Sequence, residues 1–363
     1  MPLSTQQLTF IGISECTCIS LSTTSHMPIL PNPVNSLDKR HPVKYLYTMP
    51  PANRHKPKRA KSSQSDYSVT EFLREFPDDA ACLEHLWRTR YSPDGEHAEC
   101  PKCEQERVFK RYATAQGRQS WTCTGCGHHV HPTAGTIFAK SSTSLRLWFH
   151  AMYLMTSTRC GISAKQLERE LGVHYKTAWR MFNKIRNELM REDADAEQLS
   201  GDVEVDETAW GGKPRGRKLT PSEAAKFREA KTTILGMVER GGRVRLRVIP
   251  SRRGPALSRA VRSHVNPSAF LITDDWQAYK PLRGEFLEHR IINHSAGSYV
   301  VGDVHTNTIE GFFGNLKTGM RGTYKHVSDK WIQSYLDEYA WRYNERFRGH
   351  RSMFKTLLER AAE

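Results

Sequence analysis

The sequence lacks any run of about 18 apolar residues, and its N-terminus lacks a basic stretch followed by an apolar one. We therefore expect neither a membrane-spanning helix nor a signal peptide. Acidic residues are also comparatively few, with 39 Asp and Glu against 54 Lys and Arg, for a formal net charge of +15. Such a charge distribution attracts a polyanion, so double-stranded DNA is the expected partner and a membrane is not.

Cysteine is scarce, and four of the eight cysteines form two Cys-x-x-Cys pairs, Cys100 with Cys103 and Cys123 with Cys126. Four thiolates from two tight turns close a tetrahedral shell around a structural Zn²⁺ and leave no position for a substrate. A redox Cys-x-x-Cys is the alternative, but it does not explain a second copy. Metal spacing of the cysteines also indicates a reducing compartment, and we expect a cytoplasmic, nucleoid-associated protein.

Three carboxylates stand in distinctive contexts: Asp206 in VEVDET, Asp274 in LITDDW and Glu310 in HTNTIEGFFGNLK. The alternation before Asp206 predicts a half-buried strand that ends at Asp206, with its acids on one face. The apolar run before Asp274 predicts a buried strand that delivers this side chain at its C-terminal end. Glu310 begins a helical stretch on which Asn307 and Lys317 share its face.

Each of these acids, taken alone, has an ordinary structural explanation as a turn residue, a cap or part of a solvated helix face. Together, in this order, they predict a two-metal site for phosphoryl transfer, because hard carboxylate oxygens are the ligands that Mg²⁺ or Mn²⁺ requires.

A helix-turn-helix is predicted between the cysteine pairs and the acids. Ser163 is a candidate N-cap for a helix that runs to Leu171, and Gly172 then turns the chain. A second helix is predicted from Tyr175 to about Met190. Four of its positions are candidates for contact with bases and phosphates in a major groove: Tyr175, Lys176, Thr177 and Arg180. The alternative is a plain helical hairpin that packs on the core.

Several of these phrases resemble the DDE transposases of bacterial insertion sequences, of the ISXO-like type with an N-terminal zinc ribbon. They are VEVDET with Trp-Gly-Gly-Lys, ITDDWQAY and VHTNTIEGFFGNLKTGMRGTY. The resemblance covers roughly residues 66 to 350. It implies a ribonuclease-H-like core in which Asp206, Asp274 and Glu310 carry the metal ions beside Lys317. Some members use Asn in the third acidic role, which makes Asn307 the alternative to Glu310.

The sequence therefore predicts a transposase that binds the terminal inverted repeats of an insertion sequence, cleaves DNA and joins the ends to a target. Both ends must be held at once, so we expect a homo-oligomer on DNA. Two alternatives use the same residues differently. A ribonuclease-H-like nuclease would cleave without strand transfer, and an inactive zinc-dependent regulator would bind DNA without using the acids.

The predicted fold class is multidomain α+β, in which a zinc ribbon and a helix-turn-helix precede an α/β catalytic domain with a mixed sheet. Two antiparallel strands, Thr232 to Glu239 and Val244 to Ile249, and a crossover helix are expected within that domain. The domain boundaries are a disordered basic extension at 1–65, a helical lead-in at 66–97, the zinc ribbon at 98–140, the helix-turn-helix at 141–192, the catalytic domain at 200–350 and a tail at 351–363.

Overall fold

The computed structural model of the chain describes residues 66–113, 119–192, 196–212, 219–292 and 305–363. These residues form ten α-helices and nine strands. The extension predicted at residues 1–65 lies outside the described residues.

Five helices of the N-terminal half pack around one apolar core. They are α1 (Val69–Glu75), α2 (Asp79–Arg90), α3 (Leu145–Ser157), α4 (Ala164–Leu171) and α5 (Tyr175–Lys184). The helical lead-in predicted at 66–97 contains two helices, and the chain breaks between α1 and α2. Pro77 lies at this break, where its missing N–H and ring disfavour a continuing helix. Asp78 then caps α2 by accepting the N–H of Ala81.

A four-stranded antiparallel sheet is inserted between α2 and α3, in the order β1 (His97–Glu99), β2 (Glu106–Ala113), β3 (Gln119–Cys123) and β4 (His129–Val130). Its small core is aromatic: Trp87 of α2 stacks on Trp121 at 4.9 Å between ring centroids, with Phe109 beside them. A sheet this small has little apolar area to bury, which is the situation in which a bound metal contributes to folding.

The C-terminal half holds the predicted mixed sheet. Its described strands are β5 (Asp202–Trp210), β6 (Thr232–Glu239), β7 (Val244–Ile249), β8 (Phe270–Asp274) and β9 (Glu288–Ile292), in the order β7-β6-β5-β8-β9. The first three are antiparallel, whereas β8 is parallel to both β5 and β9. The two strands β6 and β7 begin and end at the residues expected from the sequence.

The prediction that the first of these strands ends at Asp206 was wrong. Pairing of β5 with β8 stops at Glu204, opposite Ile272, but pairing with β6 continues to Trp210, opposite Thr232. The polar residues that suggested an end mark the place where one neighbouring strand stops, and the other neighbour holds β5 extended for four more residues.

Helix α6 (Pro221–Glu229) lies between β5 and β6 in the chain. Helices cover both faces of the sheet: α7 (Gly254–His264) on one, and α8 (Asn307–Gly319) and α9 (Ile332–Asn344) on the other. Leu257 of α7 packs with Val203 and Val205 on one face, whereas Ile309 of α8 and Leu336 of α9 pack with the residues of the other face.

The expected tail at 351–363 is instead a helix, α10 (His350–Ala362). Phe354 and Leu357 are buried in the core formed by α1 to α5. Apolar residues three or four apart give α10 one buried face, a signal that the sequence interpretation missed. The chain thus returns to its N-terminal half, and the two helical segments predicted at 66–97 and 141–192 share a core with α10.

Candidate active site

The candidate site lies where β5, β8 and α8 meet. Because side chains alternate along a strand, Asp202, Glu204 and Asp206 of β5 face α8, whereas Val203 and Val205 face α7. Burial raises the pKa of Asp206 to about 6. The N–H of Glu207 opposes this rise by donating to Asp206, while the negative charges of Asp274 and Glu310 add to it.

Asp274 is the last residue of β8, as the sequence predicted. Glu204 pairs with Ile272 in the parallel register, and Asp206 and Asp274 each lie two residues further along their strands. The charge of Asp274 is close enough to raise the pKa of Asp206, in addition to the larger effect of burial. The carboxylate of Asp274 accepts the backbone N–H of Trp276 at 3.1 Å, which turns the chain away from the sheet. Asp275 is exposed and lies beyond the strand.

Glu310 lies in the first turn of α8, one turn after Thr306, which donates its hydroxyl to Glu310 Oε1 at 2.9 Å. The charge of Glu310 is close enough to raise the pKa of Asp206. Asn307, the alternative third ligand, is exposed at the first residue of the same helix. Glu310 is exposed as well, so residue type alone makes it the better candidate: a carboxylate attracts a divalent cation more strongly than a neutral amide.

Lys317 lies two turns further along α8, and its Nζ is 6.0 Å from the centre of the Phe313 ring. Its pKa is lowered by partial burial and by the nearby positive charge of Arg321, with smaller effects of the same sign from Arg252 and Lys231. Asp206 acts in the opposite direction. A cluster of cations thus borders the acids, which is the charge arrangement that a phosphodiester backbone would meet.

Gly236 of β6 explains how α8 comes so close to Asp206. It pairs with Asp206 across the sheet, and a Cβ atom at Gly236 would lie 2.6 Å from Phe313 and 2.7 Å from Ile309 of α8. Only glycine leaves room for these two side chains, so α8 rests directly on the sheet beside Asp206. The sequence interpretation missed this residue, although a lone glycine inside a strand pattern signals a close approach of another segment.

A fourth carboxylate, Glu207, was also missed. It accepts a hydrogen bond of 2.8 Å from the hydroxyl of Tyr279, which is fully buried after β8. Burial raises the pKa of Glu207 to about 7, and the negative charges of Asp206 and Asp274 act in the same direction. Glu207 and Tyr279 thereby connect the strand of Asp206 to the segment that follows Asp274.

The four candidate zinc ligands come together at the ends of the ribbon strands. Their sulfur atoms, from Cys100, Cys103, Cys123 and Cys126, all lie within 4.8 Å of one another. Within the described residues, these four cysteines form the group whose ligand atoms are close enough to bind one metal ion, and the group includes no histidine. His129 instead pairs with the hydroxyl of Thr122 at 2.8 Å. Four thiolate donors fit a structural zinc and do not fit Mg²⁺, which prefers oxygen.

Asp206, Asp274 and Glu310 do not form such a single-ion group among the described residues. Two ions about 3.5–4 Å apart would be held by a wider set of oxygens than one ion. The donor chemistry fits, since the acids are hard oxygen ligands, and repulsion from Asp274 and Glu310 adds to the effect of burial in raising the pKa of Asp206. A divalent cation would relieve that repulsion.

The two helices predicted at 162–190 are present. Ser163 caps α4 by accepting the N–H of Gln166, and Gly172 ends the helix with φ of 63°. Three of the four candidate DNA-contact residues on α5 are exposed, Tyr175 and Lys176 in its first turn and Arg180 in its middle, whereas Thr177 is half-buried.

Trp179, on the same face of α5, is 38% exposed and was missed by the sequence interpretation. Its ring packs edge to face on the ring of Trp331, at 5.6 Å between centroids. This contact holds α5 against the residue that precedes α9. Beyond Lys184, five residues form a π-helical turn (Ile185–Leu189), which carries the second predicted helix almost to Met190.

A mixed sheet that brings these acids together, with helices on both faces, fits a transposase catalytic domain. Residues 198–344, which contain β5 to α9, match the ISXO2-like transposase domain. The chain therefore carries an ISXO-like DDE transposase domain, and the resemblance found in the sequence is confirmed.

One curated relative is "Uncharacterized protein in transposable element ISH50" from Halobacterium salinarum. It is 29% identical over 274 residues, which cover 72% of this chain and 90% of the relative. No solved structure matches the chain. In the part of the chain that the structure describes, no helix has both the length and the apolar character to cross a bilayer.

Proposed function

We propose that this transposase binds the terminal inverted repeats of an insertion sequence and catalyses metal-dependent cleavage and strand transfer of DNA. The observation that carries the proposal is the meeting of Asp206, Asp274 and Glu310 at one place on the mixed sheet, within the residues that match the transposase domain. Each acid comes from a different element, so the fold, and not a local sequence run, assembles the set.

In this proposal Asp206, Asp274 and Glu310 hold two divalent cations. Such ions, Mg²⁺ or Mn²⁺, supply a nucleophilic oxygen at neutral pH and stabilise the leaving oxygen of the phosphodiester. The protein orients the scissile phosphate between the acids and Lys317, whose ammonium group neutralises phosphate charge. The same residues would serve first cleavage at the transposon end and then attack of the freed 3′ hydroxyl on target DNA.

DNA binding in this proposal uses the exposed start of α5 and the zinc ribbon. Tyr175, Lys176 and Arg180 would reach base edges and phosphates, and the half-buried Thr177 would contribute less. The net charge of +15 supplies a favourable field along the whole duplex. Because both transposon ends must be held at once, the active form would be a homo-oligomer on DNA.

The chemistry is tested with purified protein, labelled DNA that carries the element's ends, a supercoiled target, and Mg²⁺ or Mn²⁺. The expected result is metal-dependent cleavage and joined products from the wild-type protein. Asp274→Asn should abolish both reactions, whereas the matched variant Asp275→Asn should retain them, because Asp275 is exposed beyond the strand. Thermal unfolding of both variants controls for folding.

The other outcomes separate the alternatives. Cleavage without joined products would identify a nuclease. Tight, specific binding of the ends with neither reaction would identify a regulator. Loss of activity in Asp275→Asn but not in Asp274→Asn would show that Asp275, and not Asp274, is the metal ligand.

The DNA-binding part is tested by the salt dependence of end binding. Lys176→Ala should weaken binding and reduce the slope of log K against log salt by about 1, as expected for one lost phosphate contact. Lys355→Ala, an exposed lysine on α10, is the matched control and should leave both quantities unchanged. Equal effects from both lysines would contradict a specific role for α5.

A further inference from the structure

The N-terminus of α8, the helix that carries Glu310, is capped in an unusual way. An N-cap threonine normally turns its hydroxyl back to accept an N–H of the first helical turn. Thr306 occupies the N-cap position but makes no such bond. Its hydroxyl instead donates to Glu310 Oε1 at 2.9 Å. The hydroxyl that would ordinarily satisfy the helix end is thus directed to the candidate metal ligand.

Glu204 of β5 takes over the capping. Its Oε2 accepts the N–H groups of Thr308 at 2.8 Å and Ile309 at 3.1 Å, and its Oε1 accepts the hydroxyl of Thr308 at 2.9 Å. A negative charge at this end of a helix is also favoured by the helix dipole. Glu204 therefore replaces the missing cap from a different element of the fold.

This carboxylate is completely buried, with none of its surface exposed. Burying a carboxylate is costly unless charged and hydrogen-bonding partners surround it. Arg240 donates its Nε to Glu204 Oε1 at 2.8 Å, and His305 Nδ1 lies 3.3 Å from the same oxygen. Arg240 also donates to the carbonyl of His305 at 2.9 Å, which holds the chain just before α8.

The positions of these contacts tie two candidate metal ligands together. Glu204 lies two residues before Asp206 on the same face of β5, and the N–H groups that it accepts lie one and two residues before Glu310. A capping serine or aspartate inside the loop would satisfy the helix end without linking it to the sheet. The cross-element cap instead fixes the helix start relative to Asp206.

We propose that Glu204 and Thr306 are positioning residues that set the place of the Glu310 carboxylate relative to Asp206 for divalent cation binding. Glu204 fixes the backbone of α8 against β5, and Thr306 fixes the orientation of the Glu310 side chain. The inference rests on the proposed metal site. Hydrogen-bond partners of metal ligands typically change metal affinity or activity 10- to 100-fold when they are removed.

The test uses Thr306→Val, which keeps the shape of the side chain but removes the hydroxyl, and Thr306→Ser, which keeps the hydroxyl. A third variant, Glu204→Gln, keeps the size of the side chain but replaces one acceptor oxygen by an amide donor. Binding of Mn²⁺ to the zinc-loaded protein is measured by electron paramagnetic resonance, and Asp206→Asn gives the background from other sites. Cleavage rate as a function of Mg²⁺ concentration is measured in parallel.

We expect Thr306→Val and Glu204→Gln to weaken Mn²⁺ binding about 10- to 100-fold, and to raise the Mg²⁺ concentration for half-maximal cleavage similarly. Thr306→Ser should restore wild-type values. Amide hydrogen exchange gives a readout that needs no metal: Glu204→Gln should speed exchange at Thr308 and Ile309, whereas Thr306→Val should leave these two amides protected. A purely structural role would lower the melting temperature without this difference between the valine and serine variants.

Each outcome decides between the two proposals. Wild-type protein that binds Mn²⁺ at the acids but does not cut DNA would overturn the proposed function and leave the positioning inference standing. Wild-type cleavage with Mn²⁺ binding unchanged in Thr306→Val and Glu204→Gln would overturn the positioning inference alone. Wild-type protein with no Mn²⁺ binding above the Asp206→Asn background would overturn both.

Discussion

Replacing Gly236 by alanine tests whether close contact between α8 and the sheet places Glu310 beside Asp206. The added Cβ would lie 2.6 Å from Phe313 Cζ and 2.7 Å from Ile309 Cδ1. Ordinary carbon contacts begin at about 3.5 Å, so the helix and the strand must separate by about 0.9 Å. Phe313 and Ile309 are both buried, which leaves little freedom for their side chains to move aside.

The expected loss follows from that displacement. Overpacking of a well-packed core costs about 1–3 kcal/mol, and the lower flexibility of the unfolded alanine chain offsets about 0.4–1 kcal/mol of it. We therefore expect the free energy of unfolding to fall by at most about 2.5 kcal/mol. A displacement of about 1 Å in a reacting group costs on the order of 100-fold in rate, so cleavage should be reduced far more than stability.

The assay combines urea unfolding with single-turnover cleavage at saturating Mg²⁺. Gly311→Ala is the matched control, because Gly311 lies on α8 with nothing within 4 Å of an added Cβ. Alanine is the better helix former by up to about 1 kcal/mol, so this variant should be as stable as the wild type or more so, with unchanged cleavage. A Gly236→Ala protein that keeps wild-type cleavage would refute the argument that contact between α8 and β6 places Glu310.

Three further predictions concern the zinc site, the acids and a buried ion pair. Cys126→Ser should lose the bound zinc, measured as metal content per chain, and should unfold the ribbon, because its small aromatic core depends on the metal. In Mg²⁺-free protein, the raised pKa values of Asp206 and Glu207 mean that the folded protein keeps these two carboxyl groups protonated at pH values at which the unfolded chain has lost the protons. Stability measured by urea unfolding should therefore fall as pH rises from about 4 to 7, and Asp206→Asn should flatten that dependence. Arg186→Met should lower the free energy of unfolding by about 3–5 kcal/mol, because the buried carboxylate of Glu338 then keeps Arg342 as a partner but loses Arg186. Adding Glu338→Gln to this variant should recover part of the loss, because it removes the buried negative charge.

Local patterns in the sequence were sufficient where a signal lies within a few residues. Alternation and turn residues predicted β6 and β7, and Ser163 and Gly172 predicted the two ends of α4. Paired Cys-x-x-Cys motifs predicted the thiol group, since each pair is held by one tight turn. The three acids were selected because each stands in a long, distinctive phrase, but only Asp274 lies at the end of a strand and Glu310 in the first turn of a helix, whereas Asp206 lies within β5.

The remaining features depend on contacts between segments far apart in the chain. Glu204 reads as one more polar residue of an alternating strand, and its role appears only when α8, about 100 residues later, is laid across it. Gly236 requires the same long-range contact. The helical spacing of apolar residues in α10 was missed, but no local pattern indicates that this apolar face packs against the N-terminal helices. Edge strand β9 is short, and its mixed polarity resembles a loop.

The charge balance of the buried acids separates structural sites from the candidate metal site. Glu338 is fully buried, and although burial raises its pKa, the guanidinium groups of Arg342 and Arg186 outweigh that effect and lower it. Its negative charge is thus matched by protein cations, which suits a fixed link between α9 and the turn after α5. Asp206 shows the opposite behaviour, because burial and the neighbouring acids raise its pKa despite Lys317. In the proposed metal site, a divalent cation would add positive charge beside Asp206 and so oppose the effect of burial and of the neighbouring acids.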